Sequence, residues 1–326
     1  MRAIVTGGTG FIGSHLCEIL KNQGYEVIAL SRKKTDTAFL QEIGVPVIYG
    51  DIADVESLIK VISKDDLVFH TAAILGAAKA KREEYMRINV EGTVNTLKAA
   101  MIKQAKSFIF VSSFAASGPV GTPEKPMTEE TPPAPDSLYG ESKLEAEKKI
   151  REIASDRLPC VILRAPIIFG PRSNPQSAAA RLFSGMRKKT FAVIGSTDNF
   201  FPICYVKNLT AAMAHFAKVH AGGIQTYFIA DGEPVKFKTI LEAINENFKI
   251  NKRVLHLPYG IAYGVAVVFE FIGKLFGFTP LLSRDIVAGM AKSVFYYDLS
   301  KALKAGYKPV ATLQQGVRET SDWLKK

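Results

Sequence analysis

RAIVTGGTGFIGSHL, residues 2–16, joins a short apolar run to a glycine-rich turn and then to the start of a helical pattern. The run at 2–6 is rich in β-branched residues, which predicts a buried strand. After the turn, Leu16, Ile19 and Leu20 recur at helical spacing. A strand, a glycine turn and a helix in this order form the context that a dinucleotide-binding turn requires.

Three of the glycines in GGTGFIG have separate predicted tasks. Gly7 permits the sharp turn, Gly10 lets the backbone approach a pyrophosphate, and Gly13 lets the helix pack closely on the strand. Backbone N–H groups at the helix start, around Phe11 and Ile12, then face the phosphates with the help of the helix dipole. The sequence therefore predicts that this turn contacts a dinucleotide.

Strand-like and helix-like stretches alternate through most of the 326 residues, of which 47% are hydrophobic. This alternation predicts an α/β fold, a Rossmann doubly wound parallel sheet of about seven strands with a smaller C-terminal substrate lobe. We assign residues 1–165 and 196–230 to the NAD(P)-binding domain. Residues 166–195 and 231–326 are assigned to the substrate-binding lobe.

The net charge and the cysteine spacing bear on which partners the protein could bind. The net charge is +11, but the basic residues are scattered without an aromatic-interleaved stripe, so we expect no nucleic acid. The charge fits a phosphorylated cofactor, an anionic membrane surface, or a solubility requirement alone. Cys17, Cys160 and Cys204 lack metal-ligand spacing, so we expect reduced, mostly buried thiols and no metal. With no secretory signal before the first strand, we expect a cytoplasmic protein.

The end of the second predicted strand, YEVIAL at 25–30, bears on which nicotinamide cofactor binds. Ser31 and Arg32 stand where an acidic residue would hold the ribose hydroxyls of NAD, and Lys33 and Lys34 follow. Adjacent cations without a carboxylate favour a 2′-phosphate, so NADP(H) is predicted and NAD(H) is the alternative. The same cations could also form an ordinary basic surface loop.

Polar and small residues follow the next three predicted strands. Asp51, followed by Ile52, ends the third strand where a carboxylate could accept from an adenine amino group. DLVFHTAA, residues 66–73, ends in small residues that let a cofactor lie against backbone. We therefore assign Thr71, Ala72, Ala73 and, in the helix that follows, Asn89 to cofactor binding. Ser113, at the end of the fifth strand, is assigned to the substrate. His70 is interpreted as a satisfied strand-end histidine.

SLYGESK, residues 137–143, begins a predicted helix on which Tyr139 and Lys143 share a face at i and i+4. A phenol has a pKa of about 10 and is a poor base at neutral pH. A nearby ammonium and an oxidised nicotinamide would lower that pKa, which would make Tyr139 a general acid or base during hydride transfer. Ser113 would hold the same substrate oxygen.

Together, GGTGFIG at 7–13 and the positions just named resemble the extended short-chain dehydrogenase/reductase superfamily over nearly the whole chain. The resemblance implies catalysis by Ser113, Tyr139 and Lys143, with Lys143 also holding ribose hydroxyls. It places Pro166 beside the nicotinamide and Phe169, Gly170 and Pro171 at the opening to the substrate side. It also implies a homodimer through helices near 91–104 and 140–154.

Two branches of that superfamily differ in the stretch RAPIIFGP. Members that act on nucleotide sugars usually show an asparagine near position 167, whereas this chain has Ile167 and Ile168. It is more similar to the 3β-hydroxysteroid dehydrogenase-like and dihydroflavonol reductase-like branch, which takes lipophilic alcohols and ketones. The alternatives are a nucleotide-sugar epimerase or dehydratase with bound NAD, and a non-enzymatic dinucleotide-sensing regulator, whose members commonly lack the Tyr/Lys pair.

A second apolar stretch, residues 257–282, resembles the hydrophobic segment of the same branch. Only Leu257 to Phe269 run without charge, which is too short for a membrane-spanning helix of about 20 residues. Three interpretations remain for this stretch: a cap over the substrate, a peripheral membrane contact and a dimer contact. A membrane contact would suit an enzyme that draws lipophilic substrate from a lipid surface.

Overall fold

The structure of the protein is a computed structural model that describes residues 1–33, 35–76, 80–118, 121–188, 192–219, 222–250, 255–276, 287 and 296–325. The described residues form these strands: β1 (Arg2–Thr6), β2 (Glu26–Ser31), β3 (Val47–Tyr49), β4 (Leu67–His70), β5 (Ser107–Ser113), β6 (Cys160–Ala165), β7 (Ile167–Phe169), β8 (Ala192–Ile194), β9 (Phe200–Phe201), β10 (Ile203–Tyr205), β11 (Ile224–Phe228), β12 (Val235–Lys236) and β13 (Leu255–Leu257).

The helices of the described residues alternate with these strands. They are α1 (Phe11–Asn22), α2 (Ala38–Glu42), α3 (Val55–Ile59), α4 (Arg82–Tyr85), α5 (Gly92–Ile102), α6 (Leu138–Ala154), α7 (Ala178–Arg187), α8 (Val206–Val219), α9 (Phe237–Phe248), α10 (Tyr259–Phe276), α11 (Ser300–Lys304) and α12 (Leu313–Lys325). A π-helical segment, Met86–Glu91, joins α4 to α5, and a 3₁₀ turn, Phe114–Ala116, follows β5.

Seven strands form one parallel sheet in the order β11-β6-β5-β4-β1-β2-β3. The predicted doubly wound sheet of about seven strands is therefore confirmed. In β1 the side chains alternate between two apolar clusters: Ala3 and Val5 pack with α1 and α8, and Ile4 packs on the opposite face with α3, α5 and α6. Helices thus cover both faces, and the carboxyl ends of the parallel strands meet along one edge.

Among the described residues, three small strand pairs lie outside the main sheet. β7 pairs with β10 and β8 with β13 in parallel, and β9 pairs with β12 antiparallel. β9 and β10 fall within the segment 196–230 that the sequence assigned to the nucleotide-binding domain, yet they pair with strands of the other assigned lobe. The division into two domains stays a prediction.

The helix α10 covers most of the apolar stretch 257–282, of which residues 277–282 lie outside the described part. Ala262 and Ala266 are buried, whereas seven large side chains are 37–58% exposed: Tyr259, Ile261, Tyr263, Val265, Val267, Val268 and Phe269. Across the described ranges, every helix falls short of the length and hydrophobicity that a membrane crossing needs. The three predicted thiols are free and buried.

Candidate active site

The glycine turn lies between β1 and α1, where close backbone packing requires its small residues. Gly7 has a φ of +68°, and a Cβ there would lie 2.9 Å from the backbone of Ala72. A Cβ on Gly13 would lie 2.2 Å from the carbonyl oxygen of Gly7. The predicted sharp turn and the predicted close packing of the helix start are both present.

The start of α1 is an anion-binding end. The N-cap is Gly10, so no N-cap side chain accepts from the first N–H groups of α1. Such N–H groups, with the positive end of the helix dipole, bind phosphate. The side chains of Phe11 and Ile12 pack against the apolar core clusters.

A cleft with a volume of about 790 Å³ opens at the carboxyl ends of β1, β2 and β4. Most of the predicted cofactor-binding residues line it: Gly7, Gly10, Ser31, Arg32, Asp51, Ile52, Thr71, Ala72 and Ala73. Among the described residues, Phe11, Ile12, Gly13, Asn89, Lys143 and Pro166 are not in that lining. The location at the switch edge of a doubly wound sheet, together with the glycine cradle, fits a dinucleotide.

One end of the cleft carries a chain of hydroxyl groups. The Ser31 hydroxyl lies 2.7 Å from that of Thr9 and 2.8 Å from that of Thr35. The exposed Arg32 also lines this end, as does Asp36, whose carboxylate accepts from the Ala38 N–H at 2.9 Å. Lys34, which the sequence grouped with Arg32, lies outside the described residues.

Sequence reasoning missed several residues of this lining: Thr9, Thr35, Asp36, Glu84 and Arg87. Thr9 lies inside the glycine turn, so its position beside the end of β2 could have been found from the motif. The other four lie on loops and a helix without a local pattern, and their position depends on packing between distant segments.

Asn89 does not line the cleft, and its predicted cofactor contact stays a prediction. It is 1% exposed, and its side-chain oxygen accepts from the Ile74 N–H at 2.8 Å. Its amide donates to the Ile74 carbonyl at 3.1 Å and to the Ser142 hydroxyl at 3.0 Å. Because its amide group is engaged in these bonds, Asn89 fixes the strip beside the cleft instead of lining the cleft itself.

The helix α6 carries the predicted acid–base pair. Its N-cap, Ser137, accepts from the Gly140 N–H at 3.2 Å, and a Cβ on Gly140 would lie 2.2 Å from the carbonyl oxygen of Ala115. This approach holds the first turn of α6 against the segment that follows β5. As the spacing predicts, Tyr139 and Lys143 lie on the face that meets the end of β5.

Tyr139 is partly buried at this end, with the Tyr85 ring edge-on to its own ring at a centroid distance of 6.3 Å. Burial raises the pKa of Tyr139 to about 12, and Tyr85 adds to the rise, while a hydrogen bond with Ser113 opposes it. Lys143 alone therefore does not lower the phenol pKa, and the lowering predicted with an oxidised nicotinamide bound stays a prediction. Desolvation of the phenolate outweighs the other influences.

Lys143 explains why that lowering is absent. Its side chain is buried, and its ammonium donates to the Val111 carbonyl at 2.9 Å and lies 4.8 Å from the centroid of the Phe110 ring. The ammonium is 6.0 Å from the centroid of the Tyr139 ring. Burial lowers the pKa of Lys143 to about 8, and the carboxylate of Glu147 acts in the opposite direction.

The two serines at the end of β5 point to different partners. Ser113 is partly exposed and lies beside Tyr139, while its hydroxyl oxygen accepts from the Ala115 N–H at 3.1 Å. Ser112 is buried and donates to Glu147 at 2.5 Å, so it does not share the substrate oxygen. Successive residues of a strand face opposite sides, which accounts for the difference.

The predicted structural role of His70 is confirmed. Its two ring nitrogens lie 2.8 Å from the Thr6 hydroxyl and 3.0 Å from the Thr93 hydroxyl, and its side chain is buried. Burial, with the nearby charge of Lys143, lowers its pKa to about 3. Because the imidazole of His70 is neutral and both of its nitrogens are hydrogen-bonded within the sheet, it is not placed to exchange protons with a substrate.

The predicted opening to the substrate side is wrong in one respect. Phe169 is completely buried, with its ring centroid 5.9 Å from that of Phe183 and 5.4 Å from that of Tyr205. It belongs to the core because β7 pairs with β10 and directs this ring inward. Ile167 and Ile168 are partly buried and also pack against core clusters.

The chain matches the model of one protein family, described as the NAD dependent epimerase/dehydratase family, over residues 3–230. This match includes the glycine turn, the cleft lining, Ser113, Tyr139 and Lys143. It ends two residues after β11, the last strand of the seven-stranded sheet.

Two curated relatives span nearly the whole chain. The 2-alkyl-3-oxoalkanoate reductase of Stenotrophomonas maltophilia (strain K279a) is 27% identical, covering 98% of this chain and 98% of the relative. The decarboxylating sterol-4-alpha-carboxylate 3-dehydrogenase of Dictyostelium discoideum is 28% identical, covering 97% of this chain and 98% of the relative. Both names describe redox enzymes, one for an oxoalkanoate and one for a sterol.

Among solved structures, the UDP-glucuronic acid 4-epimerase of Bacillus cereus in complex with NAD superposes with a TM-score of 0.77. The two chains are 24% identical, and the match covers 100% of this chain and 99% of the other. At this identity the likeness is one of fold.

Proposed function

This chain belongs to the NAD dependent epimerase/dehydratase family, and from that premise we propose that it is an oxidoreductase that interconverts a hydroxyl group and a ketone on a lipophilic small molecule. The observation that carries the proposal is the grouping of Tyr139, Ser113 and Lys143 where α6 meets the carboxyl end of β5. That edge of the sheet also holds the cleft that the glycine turn lines.

A nicotinamide cofactor held by the glycine turn and the other residues of the cleft would supply the hydride for reduction or accept it in oxidation. The phenol of Tyr139 donates a proton to the carbonyl oxygen of the substrate as that oxygen gains negative charge. The Ser113 hydroxyl hydrogen-bonds the same oxygen and fixes its distance from the phenol. The charge of Lys143 stabilises the phenolate that remains, which then regains a proton from solvent.

The protonation state of Tyr139 favours ketone reduction as the direction in which the site is ready to act. Because burial raises the pKa of this phenol to about 12, it holds its proton at neutral pH. A protonated phenol is a general acid, and reduction of a ketone requires an acid at the carbonyl oxygen. Of the two relatives, one is named a reductase and the other a dehydrogenase, so the argument for this direction rests on the phenol alone.

The lipophilic substrate class is supported by the curated relatives, whose names give an alkyl oxoalkanoate and a sterol carboxylate. The chain offers an apolar helix, α10, on which seven large side chains between residues 259 and 269 are exposed. Apolar protein surface gains free energy when it covers apolar ligand surface. We therefore extend the proposal to substrates with alkyl chains or fused rings.

We further propose NADP(H) as the preferred cofactor. The Arg32 guanidinium lies at the end of the cleft that Ser31 and Thr35 also line, and it is a donor suited to a 2′-phosphate. Arg32→Ser should weaken NADPH binding about tenfold or more and leave NADH binding nearly unchanged. Lys33→Ser is the matched control, because Lys33 is exposed and does not line the cleft. Equal loss for both cofactors would refute the preference.

The proposed activity is tested with NADPH or NADH and a panel of ketones: a 2-alkyl-3-oxoalkanoate, a steroid 3-ketone and trans-1-decalone. We expect loss of reduced cofactor at 340 nm with formation of the matching alcohol. UDP-glucose and UDP-glucuronic acid are included to test the epimerase alternative. Interconversion of these sugars without net cofactor consumption, and no ketone reduction, would overturn the proposal. A cytoplasmic location and a homodimer through 91–104 and 140–154 stay predictions.

A further inference from the structure

A buried ion pair lies one helical turn beyond Lys143. Glu147 on α6 accepts from the Arg164 guanidinium of β6 through both carboxylate oxygens, at 2.9 and 2.6 Å. The two side chains are 2% and 6% exposed. Taking both charges out of water costs several kcal/mol per ion, so a pair at this depth is a weak source of stability.

Both members of the pair also bind the segment that carries Ser113. Glu147 accepts from the Ser112 hydroxyl at 2.5 Å, immediately before Ser113. Arg164 donates to the Ser117 hydroxyl at 3.0 Å, at the end of the 3₁₀ turn that follows Ser113. The ion pair thus holds the chain on each side of Ser113.

The face of α6 repeats this arrangement at regular spacing. Tyr139, Lys143 and Glu147 lie at i, i+4 and i+8, and each meets one residue at the end of β5. Tyr139 bonds Ser113, Lys143 donates to the carbonyl of Val111, and Glu147 accepts from Ser112. Glu147 is therefore the third residue on the face of α6 that contacts the end of β5, and these three contacts fix the position of the helix along the strand.

We propose that Glu147 and Arg164 are positioning residues for the proposed acid–base site: they hold the end of β5 against α6 and keep Lys143 positively charged. This inference rests on the proposed function of Tyr139 and Lys143. Neither residue touches the substrate oxygen, because the side chains of Glu147 and Arg164 are bonded to Ser112, to Ser117 and to each other.

Charge counting explains the electrostatic part. Lys143 and Arg164 contribute two positive charges and Glu147 one negative charge, so the group carries one net positive charge beside a neutral Tyr139. His70 on β4 also faces Lys143, and because burial lowers its pKa to about 3 it is neutral at pH 7. Removing the Glu147 charge would leave two buried cations, and Lys143 would release its proton to relieve the repulsion.

Glu147→Gln tests the proposal because it keeps the shape and removes the charge. With NADPH and trans-1-decalone, or whichever panel ketone turns over fastest, we expect kcat to fall by about tenfold to a hundredfold with little change in KM. The falling limb of the kcat–pH profile, expected near pH 8 from the pKa of Lys143, should move to lower pH. Glu152→Gln is the control, since Glu152 forms an exposed ion pair with Lys149 on the same helix.

A second variant separates positioning from stability. Replacing both partners of a buried ion pair by apolar residues is often neutral or stabilising, so Glu147→Leu with Arg164→Met should keep the parental Tm. If the pair acts only in stability, this double variant recovers the parental kcat, and the proposal is overturned. If the pair positions the site, kcat stays low at the parental Tm.

A measurement without turnover keeps this inference distinct from the proposed function. In protein labelled with ¹³Cε-lysine, the signal of Lys143 is identified by its loss in Lys143→Arg, and its titration is followed in the parent and in Glu147→Gln. A lower pKa in the variant supports the electrostatic part, and an unchanged titration with the parental kcat overturns the whole inference. A low kcat with an unchanged titration supports the positional part and refutes the electrostatic part. If the parent reduces no ketone, the proposed function fails while the titration still decides the role of Glu147.

Discussion

Two helices of nearly equal length, α6 with 17 residues and α10 with 18, treat their side chains in opposite ways. α6 has buried polar and charged side chains, including Ser142, Lys143 and Glu147, each bonded to a defined partner. α10 buries the small Ala262 and Ala266 and exposes larger apolar side chains. Each helix departs from the usual arrangement of apolar side chains inside and charged side chains outside.

The two departures point to different kinds of function. A buried charge costs free energy unless it is paired and hydrogen-bonded, so the buried groups of α6 indicate a site where charge is needed. Exposed apolar side chains lying together indicate a surface that contacts something apolar. The acid–base chemistry is therefore assigned to α6, and α10 is the candidate for contact with lipophilic matter.

The largest expected effect on the rate of ketone reduction comes from removing a single oxygen atom from α6. Tyr139→Phe on α6 removes the proton donor, so we expect the rate of ketone reduction to fall by about 10²- to 10⁴-fold. NADPH affinity, measured by calorimetry, should stay close to that of the parent. Tyr263→Phe on α10 is the matched control, since the Tyr263 ring is 37% exposed and far along the chain from the site. Substantial turnover by Tyr139→Phe would remove Tyr139 from the reaction.

The next prediction concerns how much the buried ammonium of Lys143 on α6 lowers the free energy of unfolding. The folded-state pKa of Lys143, about 8, is below the ordinary lysine pKa of 10.5, so the unfolded chain binds more protons between these pH values. The destabilisation of the folded state by the buried Lys143 ammonium is therefore complete below pH 8 and disappears as the pH rises to about 10.5. Lys143→Met should raise the free energy of unfolding at pH 7 by up to roughly 3 kcal/mol while it abolishes turnover.

Thermal unfolding at pH 7 and at pH 10 checks this sign. The gain in Tm of Lys143→Met should be larger at the lower pH. Lys148→Met, which removes a side chain that is 62% exposed on the same helix, should change Tm little at either pH. A variant that is less stable than the parent at pH 7 would show that the contacts of Lys143 outweigh its desolvation.

Much of the α6 side of this comparison could be predicted from the sequence. The spacing of Tyr139 and Lys143 places them on one face of any α-helix, and the carboxyl end of a parallel strand fixes where Ser113 must lie. The strand–turn–helix pattern at 2–22 likewise predicts the glycine cradle. These features depend on local spacing, which the sequence states directly.

Other features depend on contacts between distant segments and could not be predicted. The direction of the Tyr139 pKa shift depends on how fully Tyr85 and its neighbours exclude water. The amide of Asn89 could have pointed to the cleft, and it is the position of Ile74 that turns it away. The pairing of Glu147 with Arg164 joins a helix to a strand that a single sequence does not place side by side.

Glycines give a smaller test of how tightly each helix is packed. Gly140→Ala on α6 would place a methyl group 2.2 Å from the carbonyl oxygen of Ala115, so we expect a loss of about 1–3 kcal/mol in the free energy of unfolding. Gly264→Ala on α10 meets no atom within 4 Å and should stabilise the helix by about 0.5–1 kcal/mol. Chemical denaturation measures both. Equal effects would mean that the two helices are equally well packed.

The smallest expected effect on turnover comes from the exposed side of α10, for which a membrane contact is one of the three interpretations that the sequence left open. Ile261 and Val268 are 58% and 54% exposed, so Ile261→Glu with Val268→Glu should leave Tm and the reduction of a water-soluble ketone nearly unchanged. If α10 lies in a lipid interface, two added carboxylates should abolish flotation of the protein with anionic phosphatidylglycerol vesicles, because burying a charge at that depth is unfavourable.

Val310→Glu is the control for that experiment, since Val310 is equally open to solvent, at 61%, but lies outside α10. If the α10 variant and the control both float like the parent, the membrane contact is wrong. Slower reduction of a steroid ketone by the α10 variant alone would then favour the cap over the substrate. A change in oligomeric state, measured by light scattering, would instead favour the dimer contact. Each result assigns the apolar face of α10 to one of the three functions that its sequence allows.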